Sequence, residues 1–139
     1  MSHLRPTQVD TELELRLVVP DAGTVPLRAT LRYGTDDPFA VTVAFGGGGV
    51  TVEWVFARDL LVTGLTRPTG EGDVHVWPSW GSGQDLVLLS LTSPDGHAVL
   101  EADAADLRAF LTTTLKLVPS GTESAYLDLD AELAELFAG

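Results

Sequence analysis

The sequence predicts an α+β domain: two packed antiparallel β-sheets of about seven strands, a short helix after the fourth strand, and two helices at the C-terminus. Three observations predict it. Apolar residues alternate at period two in four successive segments, the mark of half-buried strands, and three more strand-like runs follow them. The segments are joined by short stretches of turn chemistry, which suit antiparallel neighbours better than parallel crossovers. The alternation breaks briefly after residue 56, and a sustained three-and-four spacing appears only after residue 103.

The first strand is carried by Leu13, Leu15, Leu17 and Val19, which alternate with Glu12, Glu14, Arg16 and Val18. Val25, Leu27, Ala29, Leu31 and Tyr33 repeat the pattern, and so do Phe39, Val41, Val43 and Phe45. Between these runs lie Pro20-Asp21-Ala22-Gly23, Asp36-Asp37-Pro38 and the four glycines 46–49, residues that pre-set turns or tolerate positive φ. Val50, Val52, Trp54 and Phe56 complete a four-strand run. Trp54 is in phase with its apolar neighbours and is expected in the core.

Residues 57–63 lose the alternation and end at Gly64, which in a left-handed conformation, with Leu65 behind it, would cap one or two helical turns. Three further strands are expected at 73–77, 85–92 and 97–102, the last two joined by Ser93-Pro94-Asp95-Gly96. Asp103 is placed to cap a helix from Ala104, with Asp106 in its first turn. The apolar stripe of that helix is Leu107, Phe110, Leu111, Leu115 and Val118, and Pro119-Ser120-Gly121 stops it. A last helix is expected over 130–137, with Leu129, Leu133, Leu136 and Phe137 on one side.

A chain of 139 residues suits one domain that buries roughly 65–70% of its unfolded surface. The division expected is a flexible extension over 1–10 and a single domain over 11–139. With 45% hydrophobic and 20% charged residues the composition is globular. The absence of cysteine excludes disulfides, thiolate catalysis and cysteine-held zinc. No run approaches a membrane span, and residues 1–10 are too polar for a signal peptide, so a cytoplasmic protein is the expectation.

Twenty acids against eight bases give a net charge of −12. Such a chain repels a phosphate polymer or an anionic membrane unless its few arginines gather on one face. Arg16, Arg28 and Arg32 fall on the polar side of the first two strands and could do so; pairing with Glu12 and Glu14 across the strands is the competing reading.

Each candidate for chemistry fails on spacing. His3, His75 and His97 have no partner at metal-ligand spacing. Asp36 and Asp37 precede a proline in a turn, where aspartate serves local hydrogen bonds more often than acid–base catalysis. Asp128 and Asp130 read as helix caps. Ser79 and Ser82 lack the surroundings of a nucleophile elbow, and Gly46–Gly49 lacks the Lys-Ser/Thr that would follow in a phosphate-binding loop. No enzyme activity, metal or cofactor is implied.

Two aromatic residues stand apart from the core pattern. Trp77 is out of phase with Val74 and Val76 and faces the other way beside His75, and Trp80 follows at a turn. Displayed there, they could fill a protein pocket or stack on bases; equally, a C-terminal helix could cover them. Arg58 and Asp59 open the short helix, where a solvated turn is the ordinary reading.

The stretch 51–79, TVEWVFARDLLVTGLTRPTGEGDVHVWPS, carries EWVFARDLL, RPTG and VWP in an order and spacing that resemble the SsgA-like proteins. These are actinobacterial regulators of sporulation and cell division. LRLVVP at 15–20, LRYGTDDPFAV at 31–41 and SGTESAYLDLDAEL at 120–133 extend the resemblance over nearly everything after the first ten residues. The resemblance implies a whirly-like fold assembled as a homotrimer. It also implies a non-enzymatic protein-binding regulator that is recruited to division septa and brings the tubulin-like protein FtsZ there, with a membrane-associated SsgA-like or other division partner supplying the membrane. The segment from Trp54 to Trp80 would then support an assembly surface, with Arg58, Asp59, Trp77 and Trp80 as the candidate contacts. The alternative that comes with the whirly-like fold is a single-stranded nucleic-acid binder, which the charge argues against.

Overall fold

A computed structural model describes residues 7–47, 49–127 and 136 of the chain. The first half is a meander of β1 (Gln8–Val19), β2 (Gly23–Gly34), β3 (Asp37–Gly47) and β4 (Val50–Ala57). Helix α1 (Arg58–Gly64) leads to a second meander of β5 (Thr69–Glu71), β6 (Val74–Ser79), β7 (Leu86–Ser93) and β8 (Gly96–Asp103), with a 3-10 turn at Gly81–Gly83. Helix α2 (Ala104–Leu117) follows, and a further helix, α3, is described over 123–127. Residues 8–10, expected in the extension, pair with β2 as part of β1. The helix expected over 130–137 lies, apart from Leu136, outside the described residues, as do His3, Asp128 and Asp130.

The expected pair of packed sheets, with about seven strands between them, is not what forms. All eight strands lie in one curled antiparallel sheet, in the order β4-β3-β2-β1-β8-β7-β6-β5. The two meanders join edge to edge, because β1 pairs with β2 along its whole length and still offers Leu15 to Leu17 to β8 on its other side. Period-two alternation reports only that one face is buried; a curled single sheet and two stacked sheets satisfy it equally. The unexpected strand, Thr69–Glu71, is three residues long, too short to show an alternation, and is recognisable only by its pairing with Val74 to Val76.

Register then places the apolar residues in continuous rows on the inner face. Leu17, Leu100, Leu89 and Val76 are directly opposed across β1, β8, β7 and β6, and Leu31, Val43 and Trp54 across β2, β3 and β4. Helix α2 closes this face with Leu107, Phe110, Leu111 and Val118 buried as their spacing predicts, each contributing about 1.5–3 kcal/mol on burial. Leu115 is only half-buried, and Thr114 takes the buried position, its hydroxyl satisfied by donation to the Leu111 carbonyl at 2.7 Å. Trp54 packs against the core from a half-buried position. Asp103 does stand at the N-cap of α2, yet it makes no capping hydrogen bond, because its carboxylate turns to Arg16.

The end of α1 also differs from expectation. Gly64 is a helical residue without positive φ, and Leu65 forms the cap with ordinary right-handed angles. Glycine is required there for closeness: a Cβ at position 64 would stand 2.7 Å from Val76 Cβ and closer still to Val76 Cγ1.

Candidate functional site

The outer face of the sheet is built from the residues between the core positions. Register sets Trp77 opposite Leu88, Leu88 opposite Glu101 and Glu101 opposite Arg16, a row that runs from β6 through β7 and β8 to β1. Helix α2 buries its apolar stripe in the same core as the inner-face residues, so it does not cover this row. Trp77 and Leu88 are half-buried there among strand neighbours. Trp80, just before the 3-10 turn, is 64% exposed. Asp59 is exposed at the start of α1. Among the described residues, α2 is not what covers Trp77 or Trp80.

Arg16 anchors the polar end of that row. Its Nε donates to Glu101 Oε1 at 2.7 Å and its Nη2 to Asp103 Oδ1 at 2.9 Å, with Glu14 Oε2 3.6 Å from Nη1. The Glu101 hydrogen bond leads the contributions that hold the Arg16 guanidinium above its ordinary pKa. Arg28 lies 3.8 Å from Glu12 and Arg32 donates to Asp10 at 3.2 Å. The three arginines therefore do share the outer face, and each sits against an acid; Arg28–Glu12 is the pairing expected across the strands, while Arg16 turns mainly to Glu101 and Asp103 of β8 and Arg32 to Asp10. The exposed Arg28 and Arg32 pairs contribute little to stability; what all three do is remove the free positive charge a phosphate backbone would need.

Arg58, expected on the surface or in a solvated turn, is fully buried. Its Nη1 donates to the carbonyls of Thr114 at 3.0 Å and Val118 at 2.8 Å, and its Nη2 donates to Glu123 Oε2 at 3.0 Å. The guanidinium carbon is 5.0 Å from the centroid of the Tyr33 ring, a cation–π distance. Tyr33 in turn donates to the Pro38 carbonyl at 2.8 Å. The placement is electrostatically consistent: the cation sits at the C-terminal end of α2, and the Glu123 carboxylate sits at the start of α3, each at the helix end that favours its sign. Glu123 Oε1 also accepts from the Gly121 amide at 2.7 Å, and Tyr126 donates to the Leu117 carbonyl at 3.2 Å. A hydrogen bond from its own backbone amide, reinforced by Arg58, holds the Glu123 carboxyl below its ordinary value against the opposing effect of burial. Burial pushes the Tyr33 hydroxyl up to about 12 although Arg58 acts the other way. One signal for this site is present in the sequence: Arg58 continues the buried parity of Trp54 and Phe56.

No catalytic arrangement assembles among the described residues. His75 and His97 are exposed on the outer face, and His97 Nδ1 lies 3.0 Å from Thr92 Oγ1. Asp36 and Asp37 are exposed in their turn. Among the described residues no group of three or more His, Cys, Asp or Glu could hold a metal ion, and no helix is long and apolar enough to cross a membrane. An open groove of about 540 Å³ between β1 and β2 is lined by Glu12, Leu13, Glu14, Pro26, Leu27 and Arg28, a set without a nucleophile.

The sequence profile described as Streptomyces sporulation and cell division protein, SsgA, matches residues 27–123. A protein named sporulation-specific cell division protein SsgB from Streptomyces coelicolor is 54% identical over 133 residues, covering 95% of this chain and 97% of that protein. A protein of the same name from Frankia casuarinae is 50% identical over 137 residues, covering 98% and 96%. The crystal structure of an SsgA-like sporulation-specific cell division protein from Thermobifida fusca is 48% identical, covers 94% of this chain and 96% of its own, and superposes with a TM-score of 0.88.

Proposed function

Because the chain belongs to the SsgA family of sporulation and cell division proteins, we propose that it is a non-enzymatic regulator of sporulation-specific cell division that acts by binding other proteins. The observation that carries this reading is the outer face: Trp77 and Leu88 lie on a sheet surface that α2 leaves open, with Trp80 projecting beside it. Large aromatics on an uncovered face supply most of the binding energy in protein interfaces. The paired state of Arg16, Arg28 and Arg32 argues against the nucleic-acid alternative, since a strand of phosphates would have to displace acids from all three.

In this reading Asp59, Trp77 and Trp80 belong to the contact surface, and Arg58 supports it from inside. The partner is FtsZ, recruited to the septum, with a membrane-associated partner supplying the membrane. A homotrimer would present three copies of one weak surface, raising local partner concentration and promoting filament assembly without chemistry. The test measures the solution mass of the parent and of the Trp77→Ala/Trp80→Ala variant, then their binding to FtsZ. A trimeric parent that binds FtsZ, and a folded variant that loses assembly or binding, is the expected result. A parent monomer at every concentration, or a variant with normal assembly, normal FtsZ binding and only lowered thermal stability, overturns it.

A further inference from the structure

The Arg58–Glu123 pair joins three places in the chain that no backbone ladder connects: the start of α1, the end of α2 and the start of α3. Its acceptors lie 56, 60 and 65 residues along the sequence from Arg58. Both side chains are almost fully enclosed, at 1% and 6% exposure. Arg58 Nε meets no acceptor among the described residues. A buried ion pair is a poor source of net stability, because desolvating both charges offsets their attraction. It is, however, highly directional. One planar fork has to meet two carbonyls of α2 and one carboxylate of α3 at once.

We propose that this pair is a specificity device: it fixes the pose of α3 against the body of the domain while adding little to the stability of the whole. The turn it spans is the place where an alternative pose would arise. Gly121, at φ +91°, reverses the chain between α2 and α3, and its amide is held by the same carboxylate that receives Arg58. Beyond that carboxylate α3 is tied by half-buried Tyr126, whose hydroxyl reaches the Leu117 carbonyl, while Leu127 remains 38% exposed. Without the fork, apolar contact alone leaves the rotation of the first turn of α3 weakly determined. The direction in which Leu127 faces is thus set at Arg58, at the junction of β4 and α1.

The experiment combines thermal unfolding with amide hydrogen exchange over 122–127 in the full chain. Arg58→Met and Glu123→Gln each strand a buried charge and should each lower the midpoint by about 10–20 °C. The double variant Arg58→Met/Glu123→Leu strands none. It should recover most of that loss, while exchange over 122–127 stays at least tenfold faster than in the parent. Arg58→Lys keeps the charge but loses the fork, and should show the same fast exchange with a midpoint near that of the parent. Two results overturn the proposal: a double variant that also regains parental exchange, which would make apolar packing sufficient to set the pose, or one whose midpoint stays as low as the worse single variant, which would make the pair a stabilising strut. If the double variant does not fold, parental exchange in Arg58→Lys overturns it alone.

Discussion

Replacing Gly64 by alanine separates two reasons for a glycine at the end of a helix. Alanine in a helix is favoured over glycine by about 0.8–1 kcal/mol, and Gly64 has no positive φ that alanine would find strained. On local grounds the change should therefore stabilise. The tertiary neighbourhood reverses the sign, since the new methyl would stand 2.7 Å from Val76 Cβ in a core where Val76 is 0% exposed. Overpacking of this kind costs about 1–3 kcal/mol, so the net expectation is a loss of about 1–2 kcal/mol. For a chain of this size that lowers the thermal midpoint by about 4–8 °C. Val76→Ala alone should cost about 2 kcal/mol by leaving a cavity. In the double variant the alanine methyl enters the vacated space, and the combined loss should fall short of the sum by about 1 kcal/mol or more. Urea unfolding of the four proteins measures the cycle. A stabilised Gly64→Ala, or strict additivity in the double variant, would refute the steric argument.

Glu123 is held below the ordinary carboxyl value of 4.5, so the unfolded chain binds its proton first as pH falls. The stability it contributes is complete above about pH 4.5 and is lost as acid titrates the folded carboxyl; the urea midpoint of the parent should fall more steeply below that pH than the midpoint of Glu123→Gln. Arg58 and Tyr33 are the groups beside it. In base Tyr33 supplies the opposite limb: its folded value of about 12 exceeds the ordinary 10, so stability falls from pH 10 upward, by about 2–3 kcal/mol at most, and Tyr33→Phe should flatten that limb. Trp54→Ala should lower stability by about 2–3 kcal/mol, below the range for a fully buried tryptophan because Trp54 is half-buried, as denaturant unfolding would measure. Single-stranded DNA at physiological salt should bind no tighter than the millimolar range, and a sub-micromolar affinity that falls steeply with added salt would contradict the paired arrangement of the outer arginines.

Much of the fold is legible in local pattern. The alternations at 13–19, 25–33, 39–45 and 50–56 become β1 to β4, and the stripe Leu107, Phe110, Leu111 and Val118 becomes the buried side of α2. Register sets Arg28 opposite Glu14, and its guanidinium reaches diagonally to Glu12 on the same outer face. Trp77 is legible in a weaker sense: phase puts it on the face away from Val74 and Val76, while the openness of that face depends on where the helices go. Arg58 was misread because the type of a residue, and its place at the start of a short helix, say that it is solvated. Its burial follows only when acceptors from α2 and α3 arrive together.

The sequence by itself determined the strand-rich character, the in-and-out order of residues along each strand, the amphipathic helix and the family. These depend on spacings of a few residues or on matched motifs. Tertiary structure decided three things. It made one curled sheet where two were expected, because β8 pairs with the edge of β1 that β2 leaves free. It kept α2 off the Trp77 face, because that helix packs into the core on the other side. It buried a charged arginine, because residues 56 to 65 positions away supply the oxygens that compensate its lost water. In each case the deciding contact is distant in the chain, and local periodicity carries no information about which distant surface will satisfy an edge, a face or a charge.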